Sequence, residues 1–248
     1  MLRSMGKMEH VFDPGALAAA PERAGANERE VEASLRPARF SEFVGQAQAV
    51  DNMRVAIHAT KARGGTLDHL LLSGPPGLGK TSLGRAVAEE LGCQMISATG
   101  PGLERPRDLV GILTQLSAGD VFFIDEIHRL PAAVEEYIYP AMEDFKVDFT
   151  VDSGMHAKVI SLTLKPFTLI GATTRAGMLT QPLRARFGIT HHLEYYPRED
   201  LVSILVRAAE RLSIDAVADE GFDAIARRSR GTPRVALRLD RKSTRLNS

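Results

Sequence analysis

Leu70-Leu71-Leu72-Ser73-Gly74-Pro75-Pro76-Gly77-Leu78-Gly79-Lys80-Thr81 is the stretch that decides the fold. A short apolar run enters it, a Gly/Pro cluster stops the run, and Leu83, Val87 and Leu91 then recur at helical spacing. Residues 74–81 fit the phosphate-loop pattern G-x-x-x-x-G-K-[ST] in full. Glycines let backbone N–H groups turn inward around phosphate oxygens, and the following helix offers its positive end. In this reading Gly77, Gly79, Lys80, Thr81 and Ser82 line the nucleotide. Lys80 reaches the β- and γ-phosphates, and the Thr81 hydroxyl ligates Mg²⁺. A turn before a helix that happens to begin with lysine has the same composition. The strand–turn–helix setting favours the phosphate loop.

Working outward, Val121-Phe122-Phe123-Ile124 reads as a buried strand ending in Asp125-Glu126. Asp125 is placed beside the loop as the metal-side carboxylate and Glu126 as the group that polarises the attacking water. Two acids capping a helix would be the plainer reading of the pair alone. His128 is read equally well as a hydrogen-bonded or a catalytic histidine. Phe167 to Ala172 is a further buried strand, ending in Thr173-Thr174, either of which is placed to meet the γ-phosphate or its water.

The remaining pattern alternates strands and helices. A helix is expected over 47–62, a strand over 93–98, a hairpin over 145–164 and a strand over 190–195. After Pro197, Leu201, Leu205 and Leu212 mark one helix and Phe222, Ile225 and Ala226 another. Strands apolar on both faces imply an α/β fold, a parallel sheet covered by helices on both sides, with a small helical domain following. Domain boundaries are expected at 1–30 for a leader, 31–195 for the nucleotide-binding domain, 196–238 for an incomplete helical lid and 239–248 for an atypical tail.

Composition narrows the rest. Of 248 residues, 31 are Lys or Arg and 31 Asp or Glu, so no overall polybasic character points to nucleic acid or a membrane surface. The single cysteine, Cys93, excludes an intramolecular disulfide framework. No apolar run reaches the length of a membrane span and no signal peptide is visible, so a cytoplasmic location is expected.

Phosphate loop, Asp-Glu strand end, Thr-ended strand and helical lid together resemble an AAA+ ATPase. The strings Arg36-Pro37, Phe43-Val44-Gly45-Gln46, Asp68-His69-Leu70-Leu71, Asp125-Glu126-Ile127-His128-Arg129-Leu130 and Tyr139-Pro140-Ala141-Met142-Glu143-Asp144 resemble, more narrowly, the RuvB family. So do Gly171–Gly177, Arg186-Phe187-Gly188-Ile189 and Gly231-Thr232-Pro233-Arg234. The resemblance covers about residues 33–238. It implies an Mg²⁺-dependent ATPase, the homo-hexameric motor that drives branch migration of Holliday junctions in DNA recombination and repair. The implied partners are a RuvA-type junction-binding protein, docked through the hairpin 145–164, and junction DNA.

Carried over residue by residue, the resemblance makes Leu35 and Arg36 adenine-side contacts and Tyr196 the residue closing the pocket near the lid. Thr174 becomes the sensor at the strand end, and Arg234 the lid arginine that reports the γ-phosphate. Arg186 becomes the finger that reaches a neighbouring subunit's nucleotide, and Glu143-Asp144-Phe145 a further nucleotide-associated segment. Without the resemblance, Arg36 reads as a surface residue, Tyr196 as core and Arg234 as an exposed charge after Pro233. Two departures stand out: residues 239–248 do not continue the family's helix in its usual way, and the family's winged-helix DNA-binding domain has no counterpart in the sequence. The alternative is a nucleotide-switched clamp-loader or initiator-like assembly protein of the same superfamily. A third reading is a chain that binds nucleotide without acting as a motor.

Overall fold

The computed structural model describes residues 34–151, 158–212 and 219–246. The expected leader at 1–30 and the hairpin turn around Asp152-Ser153-Gly154 lie outside the described residues. The chain divides into two units, Met1–Arg36 and Pro37–Ser248. All elements named below belong to the second.

Helix α1 (Ala47–Arg63) leads to β1 (Leu70–Ser73), followed by α2 (Lys80–Leu91), β2 (Met95–Thr99), α3 (Pro106–Leu113) and β3 (Val121–Asp125). Then come α4 (Ala132–Glu143), the strands β4 (Lys146–Val151) and β5 (Lys158–Thr163), and β6 (Thr168–Thr173). Helix α5 (Gln181–Ala185) precedes β7 (Ile189–His192), and α6 (Arg198–Arg211), α7 (Asp219–Arg228) and α8 (Pro233–Leu246) follow. Residues 239–246, set apart in the sequence, are helical and continue α8.

The main sheet has the order β2-β3-β6-β1-β7, and every pairing in it is parallel. Alternation along the strands sorts its side chains into two layers. Leu70, Leu72, Val121, Phe123, Ile170 and Ala172 pack with α1, α2 and the terminal helices through Met53, Leu83, Leu201, Leu205, Phe222 and Ala236. Leu71, Phe122, Ile124 and Leu169 pack with α3, α4 and α5 through Leu109, Val134, Ile138 and Leu183. Burial on both faces is why these strands read as continuous apolar runs.

Strand β6 lies between β3 and β1, with Ser73 opposite Thr173 and Ile124 opposite Gly171. The carboxyl ends of β1, β3 and β6 therefore emerge side by side, the position where open α/β sheets bind ligands. Strand β7 is shorter than the sequence implied. The Leu193 N–H still donates to Ser73 O at 2.8 Å. At Glu194 both backbone groups turn to the Gln46 amide instead, Gln46 Nε2 donating to Glu194 O at 2.7 Å and Glu194 N–H to Gln46 Oε1 at 3.3 Å. A side chain thus replaces the neighbouring strand and ends the ladder.

Strands β4 and β5 form a separate antiparallel pair, as the β-branched runs implied. Its base is anchored: Val147 and Leu164 are buried in the layer shared with α4. Farther along, Ile160 is exposed. Among the described residues, no helix is long and apolar enough to cross a membrane.

Candidate functional site

The loop after β1 needs backbone that only glycine adopts easily. Gly74, Gly77 and Gly79 all have positive φ, at 133°, 81° and 96°. A β-carbon at Gly74 would stand 2.5 Å from the Leu193 carbonyl oxygen. Gly79 sits at the N-cap of α2 in the left-handed region and supplies no side-chain cap. The first N–H groups of α2 are therefore left to face an anion, with the helix dipole behind them.

Lys80 is buried, 7% exposed, and its Nζ donates to Gly74 O at 2.8 Å and Pro75 O at 2.7 Å. The ammonium thus ties the loop's entry to its exit. Burial pulls its pKa below the ordinary lysine value; the Asp125 carboxylate opposes that shift and the Arg234 guanidinium adds to it. These two influences place residues from β3 and from the lid within electrostatic reach of the loop lysine. Thr81 is half-buried and Ser82 buried in the same first turn of α2.

Asp125 ends β3 and accepts the Glu126 N–H at 2.9 Å through Oδ1. Glu126 has φ 51°, a turn that swings its side chain away from the strand line. Its Oε2 accepts from Arg129 Nη1 at 2.9 Å, a pair open to solvent. Thr173 and Thr174 separate clearly. Thr173 is 1% exposed, and its Oγ1 accepts the Arg175 N–H at 2.9 Å and lies 3.0 Å from His128 Nδ1. The hydroxyl and the imidazole nitrogen share one hydrogen bond there. His128 thereby joins the loop after β3 to the end of β6. Burial first of all lowers its pKa and so favours the neutral ring. Thr174, one residue farther, is exposed at the mouth of the site.

The lid meets the phosphate loop directly. The Tyr196 hydroxyl donates to Leu78 O at 3.2 Å, and Tyr196 is 7% exposed. Burial, chiefly, pushes its pKa up to about 12, so the hydroxyl remains a donor. The Arg234 N–H approaches Gly77 O at 3.4 Å at the start of α8. Lys80, Asp125, Tyr196 and Arg234 are thus gathered at one end of the sheet.

Arg186 lies elsewhere. It caps the C-terminus of α5, next to Phe187 in the layer shared with α4. Its Nη2 donates to Glu143 Oε2 at 3.1 Å, Nη1 to Pro182 O at 2.9 Å, and its guanidinium stands 4.3 Å from the Tyr139 ring centroid. Glu143 and Asp144 are exposed, whereas the Phe145 ring turns inward against Phe167 and His69, with centroids 5.8 Å and 6.5 Å away. Leu35 and Arg36 belong to the first unit, Met1–Arg36. Sequence reasoning passed over the bridging amide of Gln46. Gln46 stood in a quoted motif, but nothing near it in sequence pointed to Glu194.

Asp125, Thr81 and the open end of α2 form a donor set of hard oxygens and N–H groups suited to a magnesium–phosphate ligand. Among the described residues there is no cluster of three or more His, Cys, Asp or Glu that would hold a metal without phosphate.

Residues 35–193 match the family described as the Holliday junction DNA helicase RuvB P-loop domain, and residues 196–244 match the RuvB AAA lid domain. The Holliday junction branch migration complex subunit RuvB of Prosthecochloris aestuarii is 55% identical over 212 residues, covering 86% of this chain and 62% of the relative. That of Myxococcus xanthus is 56% identical, with the same two coverages. The chain therefore spans 62% of the length of these curated relatives. A solved structure of the Thermotoga maritima RuvB Holliday junction branch migration motor superimposes with a TM-score of 0.74 at 46% identity, covering 84% of this chain and 64% of that one. Phosphate loop, acidic strand end and lid contact all fall inside the two matched segments, and the chain belongs to the RuvB family.

Proposed function

We propose that this chain is an Mg²⁺-dependent ATPase and a motor subunit for branch migration of Holliday junctions. The observation that carries the proposal is a phosphate loop that buried Lys80 ties through the Gly74 and Pro75 carbonyls and whose Gly77 carbonyl faces the Arg234 N–H of the lid at 3.4 Å. A lid in contact with the loop links the state of the nucleotide to the orientation of α6, α7 and α8. That is the coupling a motor needs.

Within this reading the phosphate-loop N–H groups and Lys80 hold the β- and γ-phosphates, with Gly77, Gly79 and Ser82 shaping the cradle. Thr81 and Asp125 hold Mg²⁺, which when bound neutralises charge on the transferred phosphoryl group. The Glu126 carboxylate leaves Arg129 to orient water, and exposed Thr174 senses the γ-phosphate. Tyr196 closes the adenosine end, and Arg234 reports the γ-phosphate to the lid.

Arg186 is carried by the sheet layer opposite the one that packs α2 and the lid. That placement supports its action on a neighbouring subunit's nucleotide in a homo-hexamer, with Glu143, Asp144 and Phe145 at the same edge. The exposed Ile160 on the hairpin supports docking of a RuvA-type protein, which would present the junction DNA.

Hydrolysis of ATP should rise when a RuvA-type protein bound to a four-way junction is added to the chain. Stimulation by a sliding clamp, with none by the junction complex, would replace the motor reading with a clamp-loader-like one.

A further inference from the structure

Glu135, Tyr139 and Glu143 follow one another at intervals of four and so share one face of α4. The segment Thr180 to Arg186, carrying α5, lies against that face. At its start, the Thr180 hydroxyl accepts the Leu183 N–H at 3.3 Å as the helix cap and donates to Glu135 Oε1. The Tyr139 hydroxyl donates to the same oxygen and lies 3.2 Å from Thr180 Oγ1. Glu135 is 8% exposed, and these two hydroxyls supply the partners that its burial demands. At the end of the segment, Arg186 lies over the Tyr139 ring and reaches Glu143, while its Nε is buried with no hydrogen-bond partner.

The consequence is geometric. The hydroxyl bonds fix the position of the tyrosine ring's outer end, and the ring's face supports the guanidinium above it. Glu143 holds only the outer edge of that guanidinium, through a side chain that is 55% exposed. A pair so open to solvent is readily exchanged for a more strongly charged partner. The ring is an apolar support that can stay in place during the exchange.

We infer that Tyr139, locked by Glu135 and Thr180, is the positioning residue for Arg186: it presents the guanidinium to the neighbouring subunit's phosphates, and Glu143 is the partner released on arrival. The inference rests on the proposed role of Arg186 and adds three residues to it. Desolvation first, then the bond to Glu135, raises the Tyr139 pKa, so the hydroxyl lock persists through the neutral range.

Steady-state ATP hydrolysis by Tyr139→Phe and Tyr139→Leu, at concentrations that assemble rings, tests it. Tyr139→Phe keeps the ring and loses the lock; Tyr139→Leu loses both. Misplacing a catalytic group by 1 Å costs about 10²-fold. A kcat loss of roughly tenfold for Tyr139→Phe and about 10²-fold for Tyr139→Leu is expected, with KM within about twofold. Adding Arg186→Ala to Tyr139→Leu should cost far less than Arg186→Ala costs alone, because both remove one function. Tyr139→Leu subunits, whose own phosphate loop is intact, should also regain activity beside Lys80→Ala neighbours that carry the native tyrosine. A merely structural tyrosine would give additive losses and no such rescue, and that result overturns the inference. Wild-type kcat in Tyr139→Leu, with Arg186→Ala inactive, overturns it too while leaving the finger in place. Wild-type turnover in Arg186→Ala would instead remove the finger, and the inference with it. If Tyr139→Leu fails to fold, Tyr139→Phe decides by whether kcat falls at unchanged KM.

Discussion

The Arg234 N–H donates to Gly77 O at 3.4 Å across the boundary between phosphate loop and lid. A β-carbon at Gly77 would stand 3.1 Å from Arg234 Cβ and 2.8 Å from Thr232 Cγ2. The absence of a side chain in the loop is what lets the Gly-Thr-Pro-Arg turn come so close. Gly77→Ala should both strain a backbone held at φ 81° and push the lid outward. A fall in ATP affinity of roughly 5- to 150-fold is expected, from roughly 1–3 kcal/mol of strain. Titration with a fluorescent nucleotide measures it, and unchanged affinity would show that the contact has no part in binding.

That contact also marks where the sequence stopped being informative. The loop, the acidic end of β3 and the Thr-ended β6 were legible because each is local: a period, a turn and a terminal polar residue lie within a few positions. Their convergence was legible too, since parallel strands bring carboxyl ends together. Contacts that depend on a distant partner were not. Gln46 ends β7 by bonding Glu194, and the Glu135–Tyr139–Glu143 face meaning depends on where Thr180 and Arg186 fold back. Phe145 illustrates the limit, since its place beside the nucleotide motif gave no sign that its ring packs on His69 and Phe167.

Glu126 and Arg129 form an exposed pair that chemistry has to break. Such pairs are worth about 0–1 kcal/mol, so releasing the carboxylate is cheap. Glu126→Gln should therefore bind Mg²⁺-ATP as the native chain does while kcat drops by roughly 10²–10⁴. Loss of binding together with turnover, in a folded variant, would assign Glu126 a structural role instead.

His69 gives the fold a pH dependence. The Leu169 N–H donates to its Nδ1 at 2.9 Å and its Nε2 lies 3.0 Å from Met142 O, an arrangement that requires the neutral ring. Burial lowers its pKa, with the Met142 bond and Asp68 opposing; burial likewise lowers His128 and His191. Below the ordinary histidine value of about 6.5 the unfolded chain takes up protons that the folded chain refuses. The stabilisation is complete above that value and is lost as pH falls below it toward the folded pKa. Thermal midpoints should fall between pH 7 and pH 5, and less steeply in His69→Gln, which is neutral throughout. An equal slope in that variant would exclude His69 as a source.

Ile160 is exposed on a hairpin whose base, at Val147 and Leu164, is fully anchored. Ile160 therefore contributes little to the fold, and an apolar side chain exposed there is available to a partner. Ile160→Asp should abolish capture of a RuvA-type protein and leave basal ATP hydrolysis at the native rate. Retained capture would move the docking surface elsewhere.

Arg186 and Lys80 sit on opposite layers of the sheet, one held by Glu143 and Tyr139, the other by the carbonyls of Gly74 and Pro75. If one subunit's arginine completes the next subunit's phosphate site, each single variant should fail for a different reason. Arg186→Ala keeps a whole loop but offers no finger, a deficit of roughly 10³–10⁵ in turnover where such fingers act in trans. Lys80→Ala offers the finger but lacks the cation that clamps the phosphates. Mixed in equal amounts at assembling concentrations, an Arg186→Ala loop can receive Arg186 from a Lys80→Ala neighbour, and part of the activity should return. The unmixed variants should each remain inactive under the same conditions. Native turnover by Arg186→Ala alone would show that the guanidinium only pairs with Glu143. Failure to recover activity in rings shown by cross-linking to contain both variants would count against a site shared between subunits.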